Sequence, residues 1–222
     1  MLHADASFFL QFSKINYEKT INNFLNQLIK YKKNLKILIP AFTYSFCKNK
    51  KFNVKKSLSE VGDFSISCQR IKKLTRSINP IFSFSTYNFK NDLKLINHNI
   101  CFGDNSIFDY FRKKRGKIIV LGTSFEKSAT FLHHIEELKK VSYRYYKNFS
   151  GTIIDEKNKK RNFSIRYYVR KKKLNKKIKD KKLNNFYHTF EFGRHNVFHV
   201  RSDILKKKCF AKLKRNEFFF VS

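Results

Sequence analysis

Apolar residues along the chain change their spacing several times, and each change predicts an element. Ile21, Phe24, Leu25, Leu28 and Ile29 recur three and four apart with Lys and Asn between them. That period predicts an amphipathic helix over residues 15–32. The short run 35–39 is nearly all apolar and stops at Pro40, the pattern of a buried strand. Residues 41–60 show no period and read as a long loop, followed by a short helix over 63–73. Residues 76–84 read as a loop carrying Pro80 that leads into a strand near 85–89. Ser106, with Asp109 three positions on, predicts a capped helix over 106–112. Residues 117–121 form a second apolar strand, ended by Gly122, and a helix is expected over 129–140.

After residue 141 the period shifts toward two. Residues 143–149, 151–154 and 162–170 alternate, with Phe163, Ile165, Tyr167 and Val169 on one side and a turn near 157–160. This is the pattern of an antiparallel hairpin. Residues 171–182 are a charge run expected as a helix or an excursion, and 184–221 mix short helical and strand patterns. Strand, loop and helix in alternation imply an α/β protein: a three-layer α/β/α sandwich on a central, mostly parallel sheet, with the hairpin region toward the carboxyl end. No repeat or internal boundary divides residues 1–222, so one domain is expected.

Composition alters the functional picture more than the fold. Lys and Arg number 49 against 16 Asp and Glu, a net charge of +33. Such charge attracts phosphate backbones, so a basic nucleic-acid-binding protein of ribosomal type is one reading. However, Lys far outnumbers Arg, Phe numbers 26, Gly only 6, Pro 2 and Trp 0. Residues with A- and T-rich codons are the favoured ones, so compositional bias produces much of the charge. The Lys runs also lack the interleaved aromatics of a base-stacking platform. Nucleic acid is therefore not the expected partner. No apolar window is long enough to span a bilayer, and the first residues lack a secretory pattern, so a cytoplasmic protein is expected. Four scattered cysteines make no paired motif. His195 and His199 lack further ligands at metal spacing, so no metal is expected.

The chemistry-bearing segment is Thr130-Phe-Leu-His133-His-Ile-Glu136. His133 and Glu136 share a helix face, so the carboxylate can fix the imidazole tautomer and make a general base. His134 is turned away and reads as structural.

Several short blocks, in order, resemble the aminoglycoside 3-N-acetyltransferase family. Leu38-Ile-Pro-Ala-Phe-Thr43 resembles its strand-end motif. Residues 52–62, with Ser57 and Ser59, resemble its F-D-P-x-x-T-P-S-x-x-G. Arg76-Ser77-Ile-Asn-Pro80-Ile-Phe-Ser83 resembles its R-S-x-H-P-x-x-S. Phe102-Gly103-Asp-Asn-Ser106 and Tyr143-Arg144 also have counterparts, and residues 130–136 resemble its T-x-L-H-x-x-E. The wording around 102–109 and 143–151 is similar to relatives from bacterial surface-sugar genes. The resemblance implies transfer of an acetyl group from acetyl-coenzyme A to a primary amine of an aminoglycoside or amino sugar. It implies His133 as base and Glu136 as its partner. It places His3, Arg76, Ser77 and Ser83 at the coenzyme, with Arg76 pairing a phosphate, and Thr43 and Ser57 on the substrate side. Asn79 stands where the family has His, Val54 where it has Pro, and the amino terminus looks shortened. An inactive relic of the fold is the remaining alternative. The surface charge would repel a polycation, which favours an amino sugar or another weakly charged amine.

Overall fold

The computed structural model describes residues 1–13, 16–171 and 183–221. In chain order the elements begin with β1 (Leu2–Ala4), α1 (Ser7–Leu10), α2 (Tyr17–Tyr31), β2 (Ile37–Pro40), α3 (Phe46–Asn49) and β3 (Lys51–Asn53). There follow α4 (Asp63–Gln69), β4 (Thr75–Arg76), β5 (Phe84–Tyr87), α5 (Ile107–Lys113), β6 (Lys117–Leu121), α6 (Phe125–Ser128) and α7 (Phe131–Lys139). The chain closes with β7 (Arg144–Ile154), β8 (Lys160–Arg170), β9 (His188–Phe192), β10 (His195–Arg201) and α8 (Ser202–Arg215). The expected helix at 15–32 forms from Tyr17, where the Asn16 side chain accepts the Lys19 N–H at 2.9 Å. The stretch expected as a structureless loop, 41–60, instead contains α3 and β3. The charge run 171–182 lies outside the described residues apart from Lys171.

The fold is mixed α/β, and its sheets are mixed too. Strands order as β1-β6-β10-β9, β2-β5-β4 and β3-β7-β8. Only β1 with β6 and β3 with β7 pair in parallel among the named strands, while the other pairings are antiparallel. The mostly parallel central sheet expected from sequence is therefore corrected. The reason is the chain's second half. Two hairpins, β7–β8 and β9–β10, return directly, and a short turn leaves no room for the crossover that a parallel pair needs. Asp155 accepts the N–H groups of Lys157 and Lys159 and so closes the first hairpin. Its register sets Arg144 opposite Arg170.

Two apolar clusters hold these sheets together. In the smaller, Ile21 and Leu25 of α2 pack with Phe9, Ile39 and Phe64. The larger joins the sheets to α5, α7 and α8 through Phe42, Phe82, Phe84, Phe102, Phe108, Phe131, Ile135 and Leu205. Full burial of such aromatic side chains contributes roughly 1.5–3 kcal/mol each. Within it an aromatic chain runs from Phe42 to Phe82 (4.9 Å between centroids), to Phe102 (4.7 Å) and to the His133 ring (5.7 Å). It ties the end of β2, the 76–83 loop and α7 into one rigid unit. Among the described residues no helix is long and apolar enough to cross a membrane.

Candidate active site

Helix α7 forms because Phe131, Leu132 and Ile135 bury one face against the core, and it ends at Lys140 in the left-handed region. That face fixes the rotation of the rest. His133 is left at the edge with 27% of its side chain exposed, and Glu136 is fully enclosed. The Glu136 Oε2 lies 2.9 Å from His133 Nδ1 and 2.7 Å from Arg144 Nη2. Its Oε1 accepts from the Tyr143 hydroxyl at 2.7 Å and lies 3.6 Å from Arg170 Nη2. Arg144 also donates to the Tyr168 carbonyl at 2.9 Å. Like charges opposite each other in a hairpin repel, so a carboxylate between Arg144 and Arg170 is what makes their register tolerable.

These contacts set the protonation states. Burial opposes charge on Glu136, but the bond from His133 and the charges of His133, Arg144 and Arg170 outweigh it and hold its carboxyl at about 2. Burial, and then the charge of Arg144, push the His133 imidazole below its ordinary value, while Glu136 pulls the other way. The ring is therefore neutral near pH 7. Arg144 Nη2 also lies 2.7 Å from His133 Nδ1. An arginine can only donate and an ionised carboxylate only accept. A bare Nδ1 would face the lone pairs of Glu136, so the proton sits on Nδ1, with Arg144 donating to Glu136. Nε2 is then the free base. The ring borders a cavity of about 330 Å³ lined by His133, Arg144, Tyr167, Val169 and Arg170. His134 is wholly buried, accepts the Gly103 N–H at 3.2 Å and stacks on Phe108, in keeping with its structural reading.

The other expected site residues gather in a separate knot. Arg76 Nε donates to Ser83 Oγ at 3.0 Å, Nη1 to the Ser57 carbonyl, and Nη2 to the Ala41 carbonyl and to Thr43 Oγ1 at 2.7 Å. Four of its five N–H bonds thus go to the chain itself. Burial lowers the guanidinium to about 10, and it lies over the Phe52 ring at 4.8 Å. Ser83 donates to the Ala41 carbonyl, Ser77 Oγ accepts the Phe84 N–H, and Ser57 Oγ accepts the Asn53 N–H. Asn79 takes the Ile81 and Phe82 N–H groups on its Oδ1 and donates to the Ile100 carbonyl. Arg76, Ser77, Ser83, Thr43 and Ser57 are brought together as a buried brace between loops. A group with one N–H remaining is poorly placed to fork onto a phosphate. A surface cavity of about 360 Å³ passes Arg76 and Ser77 on its outer side.

His3 lies on β1, opposite Val120 of β6. Burial holds its imidazole down at about 3, and its Nε2 has no hydrogen-bond partner. It borders a third cavity, of about 270 Å³, with Tyr44, Ser65, Lys127, Ser128 and Thr130. Thr130, just before α7, borders this cavity, and His133, three residues on, borders the other. Arg170 and Tyr167 were absent from the expected site. The signal existed: a turn near 157–160 fixes the register that opposes Arg170 to Arg144 and demands an acid nearby.

The fold and this corner define a mixed α/β protein with a neutral histidine, steadied by a buried carboxylate, at the mouth of a cavity. The sequence matches the family described as aminoglycoside 3-N-acetyltransferase over residues 24–207. The chain belongs to that family and is an acyltransferase. Among solved structures it resembles the YokD protein from Bacillus subtilis, at 15% identity, covering 95% of this chain and 90% of that one, with a TM-score of 0.71. It resembles AAC-IIIb binary with CoASH at 15% identity, covering 97% and 89%, with a TM-score of 0.73. It also resembles a mutant of the aminoglycoside acetyltransferase AAC(3)-IVa in complex with apramycin, at 15% identity, covering 98% and 85%, with a TM-score of 0.72. At such identities the likeness is one of fold. No curated protein matches the sequence.

Proposed function

We propose that the protein transfers the acetyl group of acetyl-coenzyme A to a primary amine, with His133 as general base. The observation that carries this reading is the 2.9 Å contact between His133 Nδ1 and Glu136 at the edge of the cavity. An ammonium group cannot attack a thioester, so a proton must leave it. That proton goes to solvent, and Nε2 takes a second one from the free amine as its nitrogen bonds to the thioester carbonyl carbon. Glu136 stabilises the imidazolium that forms. The tetrahedral intermediate collapses with cleavage of the carbon–sulfur bond, and the imidazolium returns its proton to the departing thiolate.

The coenzyme fits the side of α7 that carries His3. CoASH is bound in the relative AAC-IIIb. Here the hydroxyls of Ser65, Ser128 and Thr130 and the amine of Lys127 border the cavity that His3 lines, a donor set suited to phosphate and amide oxygens. Arg76, Ser77 and Ser83 act as the brace behind this region, and Thr43 and Ser57 act through Arg76 rather than on the acceptor directly. The loop N–H groups of Ile81 and Phe82 are already held by Asn79, so they are not the donors for the oxyanion.

The test is thiol release from acetyl-coenzyme A with glucosamine as acceptor. His133→Ala should lower turnover by about 10²–10⁴-fold, the scale of a general base. The ring lies at the edge of the core with 27% of its side chain exposed, so the unfolding temperature should fall by only a few degrees. Full activity in that variant would remove the proposal.

A further inference from the structure

The two oxygens of Glu136 have different partners. Oε2 lies 2.9 Å from His133 Nδ1 and 2.7 Å from Arg144 Nη2, whereas Oε1 accepts from the Tyr143 hydroxyl at 2.7 Å. A guanidinium beside a carboxylate makes its strongest contact as a fork, two N–H groups on two oxygens. Arg144 has only half of that fork. Its Nη2 reaches Oε2, while its Nε is buried and has no hydrogen-bond partner among the described residues. The oxygen that would complete the fork is the one Tyr143 holds. A full fork would turn both oxygens toward Arg144 and leave the Nδ1 proton of His133 without its acceptor. Tyr143 itself is anchored without its hydroxyl. Its ring is 1% exposed and sits 5.6 Å from the Phe218 ring, and its carbonyl accepts the Lys171 N–H at 3.0 Å. Burial, then the charge of Glu136 and the bond to it, raise the phenol above its ordinary value, so it remains a donor at working pH.

Resting on the reading of His133 as general base, we infer that Tyr143 is a positioning residue: its hydroxyl keeps Glu136 on the imidazole by withholding the second carboxylate oxygen from Arg144. Tyr143 touches no reacting atom and acts through Glu136. The charged and titratable groups around the imidazole are Glu136 on its own helix, Arg144 on β7, and Arg170 and Tyr167 on β8. Cys209 of α8 lies within reach of the Glu136 charge, and Glu137 feels the charge of Arg144. All of them remain when only the hydroxyl is removed, so a change at the imidazole reports the carboxylate. Glu136 pulls the imidazole up, while burial and then Arg144 push it down. Once the carboxylate turns to Arg144, the upward pull weakens and His133 gives up its proton at lower pH.

The experiment is Tyr143→Phe in the full chain, with two readouts. One is the pH profile of thiol release from acetyl-coenzyme A with glucosamine. The other is the titration of the His133 ring by nuclear magnetic resonance of isotope-labelled histidine without substrates, its signal identified by its loss in His133→Ala. In Tyr143→Phe, kcat should fall about 10-fold, less than in Glu136→Gln, with the KM for acetyl-coenzyme A unchanged. The acid limb of kcat/KM and the ring titration should both move to lower pH, by about half a pH unit or more. Adding Tyr143→Phe to Arg144→Gln should produce little of that shift, because no fork is left to form. A lost hydrogen bond that merely loosened the fold would lower the rate without moving the titration, and that result overturns the inference. A shift of equal size in both backgrounds overturns it too. No thiol release by the unaltered chain, with the ring titration still shifted in Tyr143→Phe, would uphold the positioning role and overturn acetyl transfer instead.

Discussion

Arg76 and Arg144 are both buried and both stand at the end of a strand, yet their surroundings differ in kind. Arg76 meets only neutral acceptors: two carbonyls and two hydroxyls from loops that would otherwise splay. Arg144 meets a carboxylate, an imidazole and a cavity. The first arrangement satisfies the guanidinium and leaves little for a ligand. The second leaves a charge balance that a neighbour can still change. A buried arginine is therefore read by what it contacts: saturation by backbone oxygens signals a brace, and a shared carboxylate beside a cavity signals chemistry. Both settings are costly to disturb, but only one should change the reaction.

The strongest way to break the comparison is Glu136→Gln. The amide keeps the shape and removes the charge that separates Arg144 from Arg170. The imidazole loses its counter-charge at the same time. Acetyl transfer should fall by about 10²–10⁴-fold, and unfolding free energy by about 3–5 kcal/mol. The carboxyl is held at about 2, below its unfolded value of 4.5. The stability it contributes is therefore present above pH 4.5 and fades as pH falls toward 2. Denaturant unfolding of both proteins across that window should show the gap closing in acid. A gap independent of pH would mean that the charge is not what stabilises the corner.

Arg76→Met tests the other side. It removes four donated bonds, leaving the Ala41 carbonyl only its bond from Ser83 Oγ and the Ser57 carbonyl only its bond from Gln69 Nε2, and should cost about 3 kcal/mol. In conditions where the variant remains folded, the KM for acetyl-coenzyme A should change by no more than about threefold, the allowance for a moved wall rather than a lost charged contact. A rise beyond about tenfold, the scale of losing a charge-assisted bond, would restore Arg76 to the coenzyme and erase the contrast.

Much of this was legible in the residues. The helical period of Ile21, Leu25 and Leu28 and the alternation around Phe163 and Ile165 reflect burial on one face, and the apolar run of β6 reflects burial on both, which are local properties. The spacing of His133 and Glu136 likewise gives their contact directly. Arg170 was missed because its significance is not local: it follows from a register with β7 and from an acid on another element. The parallel sheet was overpredicted for a similar reason. Residues 188–201 have mixed texture, and nothing in them announces pairing with β6. The resemblance places Arg76 at the coenzyme, where a guanidinium fork suits a phosphate. Which carbonyls strand ends leave unpaired is settled only when the loops are folded.

Glu137 sharpens the comparison within one helix turn. Unlike its neighbour, it has no adequate cationic support: burial pushes its carboxyl up to about 7, with Arg166 and a bond from Tyr146 opposing. Gly103 lies against it at φ +81, and a Cβ there would stand 2.5 Å from Glu137 Oε1. The folded value lies above the unfolded 4.5, so the folded state holds this proton more tightly. Stability is then lost as pH rises from 4.5 through about 7. Glu137→Gln should remove that loss, adding about 2 kcal/mol near pH 8 and little near pH 5 by denaturant unfolding. Equal effects at both pH values would show that the amide acts by packing alone.

The smallest effect is the most specific to the base. Nε2 must be unprotonated to act, so activity is lost as pH falls through the value of His133. That value is depressed, by burial and then by Arg144, so the acid limb of kcat/KM should lie below the ordinary 6.5. Arg144→Gln removes one cause of the depression while leaving Glu136 to pull upward. The limb should therefore move to higher pH, by up to about one unit, alongside any loss of rate. A limb that falls in rate without moving would mean that Arg144 holds the hairpin but does not govern the imidazole. The corner would then differ from the Arg76 brace only in the carboxylate that Arg144 meets.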